Sequence, residues 1–268
     1  MANYLVNSPG LLTEGTSAAD LLQIESAAVS ATTVKAGAGN DTITALVDGT
    51  SADQTQLYGE GGADQFDISA TTFSASTIFG GAGGDTVNIN FSTTWDVIKG
   101  GDGSDDVTVQ SGSTILGDIL MGAGADDVIF SSNFTFTTSQ IALGAGKDTI
   151  EIDDGNLSST TIIGGGGDDS IDLAGSVVAS ALSITGGNGA DTIQLDSTGE
   201  MWSVAGGNGA DVISAVDLQS TSQILGGGGA DDIQVTTISG NGISVYGGAG
   251  ADTIDIDTAN SAYSAQIV

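Results

Sequence analysis

One aspartate recurs eleven times at intervals of 20 to 23 residues, at Asp41, Asp64, Asp85, Asp105, Asp126, Asp148, Asp169, Asp191, Asp211, Asp231 and Asp252. A repeat of about 21 residues cannot bury its own apolar face, so such units stack on one another into a solenoid. Each column of the repeat is an independent trial of one structural position. Glycine stands two residues before the aspartate in every unit, at Gly39, Gly62, Gly83, Gly103, Gly124, Gly146, Gly167, Gly189, Gly209, Gly229 and Gly250. Four residues before it stand Gly37, Gly81, Gly101, Gly122, Gly144, Gly165, Gly187, Gly207, Gly227 and Gly248, with Glu60 the single exception. Columns of this kind call for positive φ or for a backbone approach that a Cβ would block.

After the aspartate the period changes to two. The second residue onward is Ile43, Phe66, Val87, Val107, Val128, Ile150, Ile171, Ile193, Ile213, Ile233 or Ile254; the fourth is again apolar, and the one between is mostly polar. That alternation predicts a strand with one buried face. Seven residues before the aspartate a second column runs from Val34 and Leu57 to Ile224 and Val245, all aliphatic. Each unit therefore carries two short strands, joined on one edge by the glycine loop and on the other by a Ser/Thr-rich turn of variable length. The expected architecture is all-β: a parallel β-solenoid of 11 to 12 coils, continuous over residues 34–268. Residues 1–33 form a degenerate first coil around Asp20, which lacks the key glycines and an ion site. Its strands are expected at Asn3 to Asn7 and Leu11 to Thr13, and a last strand at Ser264 to Val268.

Composition narrows the chemistry. With no His and no Cys there is no imidazole base, no thiol nucleophile and no soft-ligand metal site. Thirty-four acidic against three basic side chains give a formal charge of -31, which repels nucleic acid and anionic membranes. Hard cations with oxygen ligands remain. A hydrophobic content of 39% argues for a core against disorder, and no apolar run reaches the roughly 18 residues of a membrane span, so neither nucleic acid nor membrane insertion is expected. The opening MANYLVNSPG lacks the features of a Sec-type signal peptide. No enzymatic activity is expected: the glycines precede strands, not the helix of a dinucleotide site, and Trp95 and Trp202 lie too far apart in sequence for a sugar cleft, reading instead as filling coil or turn positions.

The pattern Gly-Gly-x-Gly-x-Asp-x-(aliphatic)-x, as in GGAGGDTVNI (80 to 89) and GGAGADTIDI (247 to 256), resembles the RTX calcium-binding repeats over roughly residues 34 to 256. The resemblance implies a β-roll whose stacked loops hold Ca²⁺ between successive turns, with the eleven aspartates and the glycine columns above as the metal site. The chain also departs from that family, whose nine-residue motifs run in tandem along both edges. One motif per coil implies one row of ions on one edge, about ten in all. Independently, Ca²⁺ takes six to eight hard oxygens at 2.3 to 2.6 Å, and a stack of like charges left unneutralised destabilises a sheet. Asp102, Asp106, Asp127, Asp168 and Asp232, beside the column, read as solvated surface. Glu60 is expected to perturb its own loop, and Lys35, Lys99 and Lys147 read as scattered surface lysines.

Within the family, what lies outside the repeats separates toxins and enzymes from structural proteins, and here little does. The loop column between the glycines carries no threonine array of an ice binder. The expectation is a calcium-dependent extracellular building block, exported through a type I channel to the cell surface or matrix. It would polymerise head to tail with copies of itself into a surface layer, sheath or filament. The alternative is an adhesin or matrix module that grips cell-surface polysaccharide.

Overall fold

The computed structural model describes residues 2–24, 31–45, 54–69, 75–90, 97–110, 114–115, 117–131, 134–259 and 265–268. Trp95 lies outside them. No helix occurs among the described residues, and the strands build a parallel β-solenoid of about eleven coils spaced about 21 residues apart. The coils fall into two compact units, Met1–Thr135 and Phe136–Val268.

In the first unit one ladder runs Asn3–Val6, Leu21–Ile24, Thr42–Ala45, Gln65–Ile68, Thr86–Ile89, Asp106–Val109, Asp127–Phe130. The facing ladder runs Leu12–Glu14, Thr33–Ala38, Gln56–Gly61, Thr77–Ala82, Val97–Asp102, Asp118–Ala123. The second unit repeats the plan with longer strands, from Thr149–Ser158 to Thr253–Ala259 in one ladder and from Gln140–Ala145 to Ala265–Ile267 in the other. The pairings are parallel and join like columns, as Val87 to Val107 and Ile193 to Ile213 show. Register breaks at Ile152/Asp154, Leu173/Val178 and Leu195/Thr198, where the strands of the second unit run on past the core and take up turns of unequal length.

The period-2 pattern holds column by column. All eleven side chains seven residues before the aspartate are at most 2% exposed. Those two residues after it are equally buried from Ile43 to Ile233, while Ile254 is half-buried. Each such side chain contributes about 1.5 to 3 kcal/mol by leaving water, and stacked like residues make one continuous apolar interior in each unit.

The second edge is built from a motif the sequence suggested only as a Ser/Thr-rich turn. Nine residues before the aspartate a hydroxyl is buried at Thr32, Thr55 and Ser76 in one unit and at Ser139, Thr160 and Ser222 in the other. This hydroxyl can accept an N–H from the preceding coil: Thr55 N–H donates to Ser76 Oγ at 3.0 Å and Trp202 N–H to Ser222 Oγ at 3.3 Å. The residue just before the column turns the chain with φ between 52° and 59°, at Ala31, Gln54, Ala75, Thr138, Ser159, Ala181, Met201 and Thr221, and Gly242 does so at 74°. Small hydroxyls thus close this edge in six coils, while Leu182, Trp202 and Ile243 take the same place in three others.

A candidate calcium edge

The other edge is made of glycine and carboxylate. All glycines of the two expected columns have φ between 106° and 153°. A side chain is barred by sterics as well as by φ: a Cβ on Gly101 would collide with the carbonyl O of Gly81, and one on Gly103 with that of Gly83. The loops stack through their backbones, Gly62 N–H donating to Ala82 O at 2.8 Å and Gly103 N–H to Ala123 O at 2.7 Å. Glu60 adopts φ 75° in a column otherwise reserved for glycine, and its carboxylate pairs with Lys35 Nζ at 3.2 Å on the surface.

Within each unit the column aspartates are turned into the coil and tied each to the one before it. The N–H of Asp41 donates to Asp64 Oδ1 at 2.8 Å, Asp64 to Asp85 at 2.8 Å, Asp85 to Asp105 at 2.8 Å and Asp105 to Asp126 at 2.8 Å. In the second unit the chain of donors runs Asp148, Asp169, Asp191, Asp211, Asp231, Asp252, each bond 2.9 to 3.1 Å. One oxygen of each accepting carboxylate is thereby used. The other is not: Oδ2 of Asp41, Asp64, Asp85, Asp105, Asp169, Asp191, Asp211 and Asp231 is buried with no hydrogen-bond donor. These residues are at most 2% exposed, and a buried anionic oxygen without a partner is costly enough to demand one.

The energetics show in their acidity. Burial pushes Asp64 up to about 6, Asp85 to about 7, and Asp169 and Asp211 to about 6, the N–H bond from the preceding aspartate opposing and neighbouring carboxylates adding to the rise. Burial raises Asp41, Asp105 and Asp191 as well. Asp20 is the contrast. Its carboxylate accepts from Ala2 N–H at 2.8 Å and from both the N–H and the hydroxyl of Thr16 at 2.7 Å, and these bonds, Ala2's first, lower its pKa. The degenerate coil is satisfied by protein donors.

A third glycine column, the first glycine of the Gly-Gly-x-Gly-x-Asp pattern, completes the edge in eight of the eleven coils. Five residues before the aspartate stand Gly59, Gly80, Gly100, Gly164, Gly186, Gly206, Gly226 and Gly247. A Cβ on Gly80 would meet Asp85 Oδ2 and the carbonyl O of Gly100; on Gly186 it would meet Asp191 Oδ2 and Gly206 O. So in seven of these coils the partnerless carboxylate oxygen and a carbonyl oxygen of the next coil converge on a space that glycine keeps clear. No three carboxylates gather around one point among the described residues, so backbone carbonyls would have to supply most of a cation's ligands. Paired hard oxygens, buried negative charge and a glycine cradle fit Ca²⁺ and nothing softer.

The flanking acids stay outside this arrangement: Asp102, Asp106, Asp127 and Asp168 are exposed and Asp232 half-buried. The lysines are less scattered than expected. Lys35 lies over the Tyr58 ring and Lys99 over the Phe79 ring, at 5.7 and 5.4 Å, and the two rings stack on each other at 4.6 Å with 2° between their planes. Trp202 does fill a turn, fully buried, its Nε1 donating to Ala179 O at 3.3 Å.

A parallel solenoid with one edge of stacked glycine loops and inward carboxylates defines a class of repeat protein, and the sequence comparison agrees. Residues 31–46, 96–116, 183–197 and 244–257 match the family model of the RTX calcium-binding nonapeptide repeat. These four segments are thus similar to RTX repeats, a family that binds Ca²⁺ and is typically extracellular. A comparison of the chain with curated proteins finds no match.

Proposed function

We propose that the chain is a calcium-dependent extracellular structural protein, folded by Ca²⁺ after export through a type I channel and assembled end to end with copies of itself into a filament, sheath or surface layer. Calcium control rests on the buried Oδ2 row, which repels itself until cations arrive; sites of the extracellular kind are empty at cytosolic calcium and filled outside. The eleven aspartates and the glycines around them are the ligand-bearing residues in this reading.

Assembly rests on the strand Thr253–Ala259, which pairs with Asp232–Ile238 and carries half-buried Ile254 and Ile256 where other coils carry fully buried counterparts. A parallel strand of a second copy, Asn3–Val6, would continue that ladder and cover those side chains. The contact is heterologous, and such contacts propagate as open polymers. A glycan-gripping role draws less support, since Tyr58 and Phe79 turn one face to each other and the other to Lys35 and Lys99. Light scattering in millimolar calcium tests the reading. Polymers are expected from the unaltered chain and not from Ile254→Lys; monomers from the former, or polymers indifferent to the substitution, would return the choice to the polysaccharide-binding module.

A further inference from the structure

The two sheet faces of the first unit differ in charge. On the ladder that leads into the glycine loops, the outward position six residues before the aspartate holds Lys35, Tyr58, Phe79, Lys99 and Leu120 in successive coils. Two of the chain's three basic residues thus flank the stacked rings, in a chain of formal charge -31. Lys35 shares its charge with Glu60. Lys99 is exposed, lies over the Phe79 ring at 5.4 Å and forms no ion pair among the described residues. The other ladder presents the small polar side chains Thr86, Asn88 and Thr108 and, beside them, Asp106 and Asp127, both exposed and paired in register on adjacent parallel strands. Like charges so placed repel, and among the described residues no basic side chain pairs with either.

We propose that the first unit docks side by side on a second copy of this chain, Lys99 of one copy meeting Asp106 and Asp127 of the next. Charge complementarity sets the occupant: the unpaired lysine lacks a carboxylate partner, and every copy carries an unpaired carboxylate couple on its other face. Tyr58, Phe79 and Leu120 add apolar surface beside the lysine, and the small side chains around the aspartates leave room for rings between two sheets about 10 Å apart. The ring beneath Lys99 restrains its side chain, so less freedom is lost on docking. Because the two faces are different surfaces, the contact is heterologous, and each docked copy keeps one face free for another. A contact of this size is weak alone and becomes effective when many copies of one filament meet many of the next. The inference rests on the structural reading above and deepens it: end-to-end stacking makes filaments, and lateral docking joins filaments into a layer.

Carbodiimide, which joins a lysine to a carboxylate in direct contact, tests this on the full chain in millimolar calcium, with isotope-labelled and unlabelled copies mixed. Mass spectrometry should find Lys99 joined to Asp106 or Asp127 of another copy. The yield should fall severalfold at about 1 M salt, where screening acts within about 3 Å. The same cross-link is expected in Ile254→Lys, so the lateral contact is read apart from end-to-end stacking. Charge reversal gives a second reading by electron microscopy. Filaments of Lys99→Glu, and separately of Asp106→Ser with Asp127→Lys, should lie apart, while the two kinds mixed should align side by side, which misfolded variants could not do. Serine already stands at the column of Asp106 in Ser170. No cross-link from Lys99 between copies, cross-links spread evenly over other acids, or no alignment on mixing would overturn the lateral contact and leave the end-to-end reading intact. Chains without the cross-link that bind polygalacturonate, and lose it in Lys99→Gln, would give this face to an anionic glycan and overturn the inference equally.

Discussion

Glu60 shows what a single side chain costs in a loop made for glycine. Its left-handed backbone stores about 1 to 3 kcal/mol, and its exposed ion pair with Lys35 offsets less than about 1 kcal/mol of that. Glu60→Gly should therefore stabilise the calcium-loaded protein by about 1 kcal/mol in urea titration, after the extra chain entropy of glycine is subtracted. Gly101→Ala, at φ 130° and against Gly81 O, should destabilise it by more than about 2 kcal/mol by the same measurement.

The aspartates themselves predict a reversed pH dependence. In the ion-free chain Asp64, Asp85, Asp169 and Asp211 titrate near 6 to 7, above the ordinary aspartate value of 3.8. The folded state then binds more protons than the unfolded between about pH 4 and 7, so stability is fully present in acid and is lost as pH rises through that window. Melting temperature in chelator should fall from pH 5 to pH 8. With calcium the trend should invert, because protons and Ca²⁺ compete for the same oxygens; a flat profile in chelator would show that the carboxylates are solvated.

At the scale of elements, the glycine edge was legible in the sequence because every coil repeats it with the same spacing, and repetition turns one chain into an alignment of itself. Both strands of the coil followed from column identity alone, whereas the inward turn of the aspartates did not. The opposite edge was legible only as a tendency toward Ser and Thr. Its turns differ in length, and its function is carried by hydroxyl acceptors and by left-handed residues such as Ala181 and Met201 that no side chain announces. Trp202→Ala tests how much this edge contributes. Loss of a fully buried indole and its bond to Ala179 should cost about 3 to 5 kcal/mol, read from denaturant midpoints, with the calcium count unchanged.

For the whole molecule, charge outweighs everything else that conditions can change. Every divalent ion bound would offset two of the 31 formal negative charges, and each ion held tenfold above its dissociation constant adds about 1.4 kcal/mol. Far-UV circular dichroism should show strand in millimolar calcium and lose much of it in chelator. Retention of the full spectrum after calcium removal would mean that the carboxylate row is tolerated without cations.

Repetition also poses a problem of address. Coils so alike could lie on the wrong neighbour, one turn early or late, with nearly the same backbone bonds. What distinguishes them are the unrepeated parts. Gly199 leaves room for the Trp202 indole, which a Cβ there would strike, and that indole reaches one particular carbonyl at Ala179. Tyr58 finds its stacked partner in Phe79, one coil on. These few irregular residues work as page numbers in a text of near-identical lines, so a chain made perfectly regular at these positions would fold readily and lose its place.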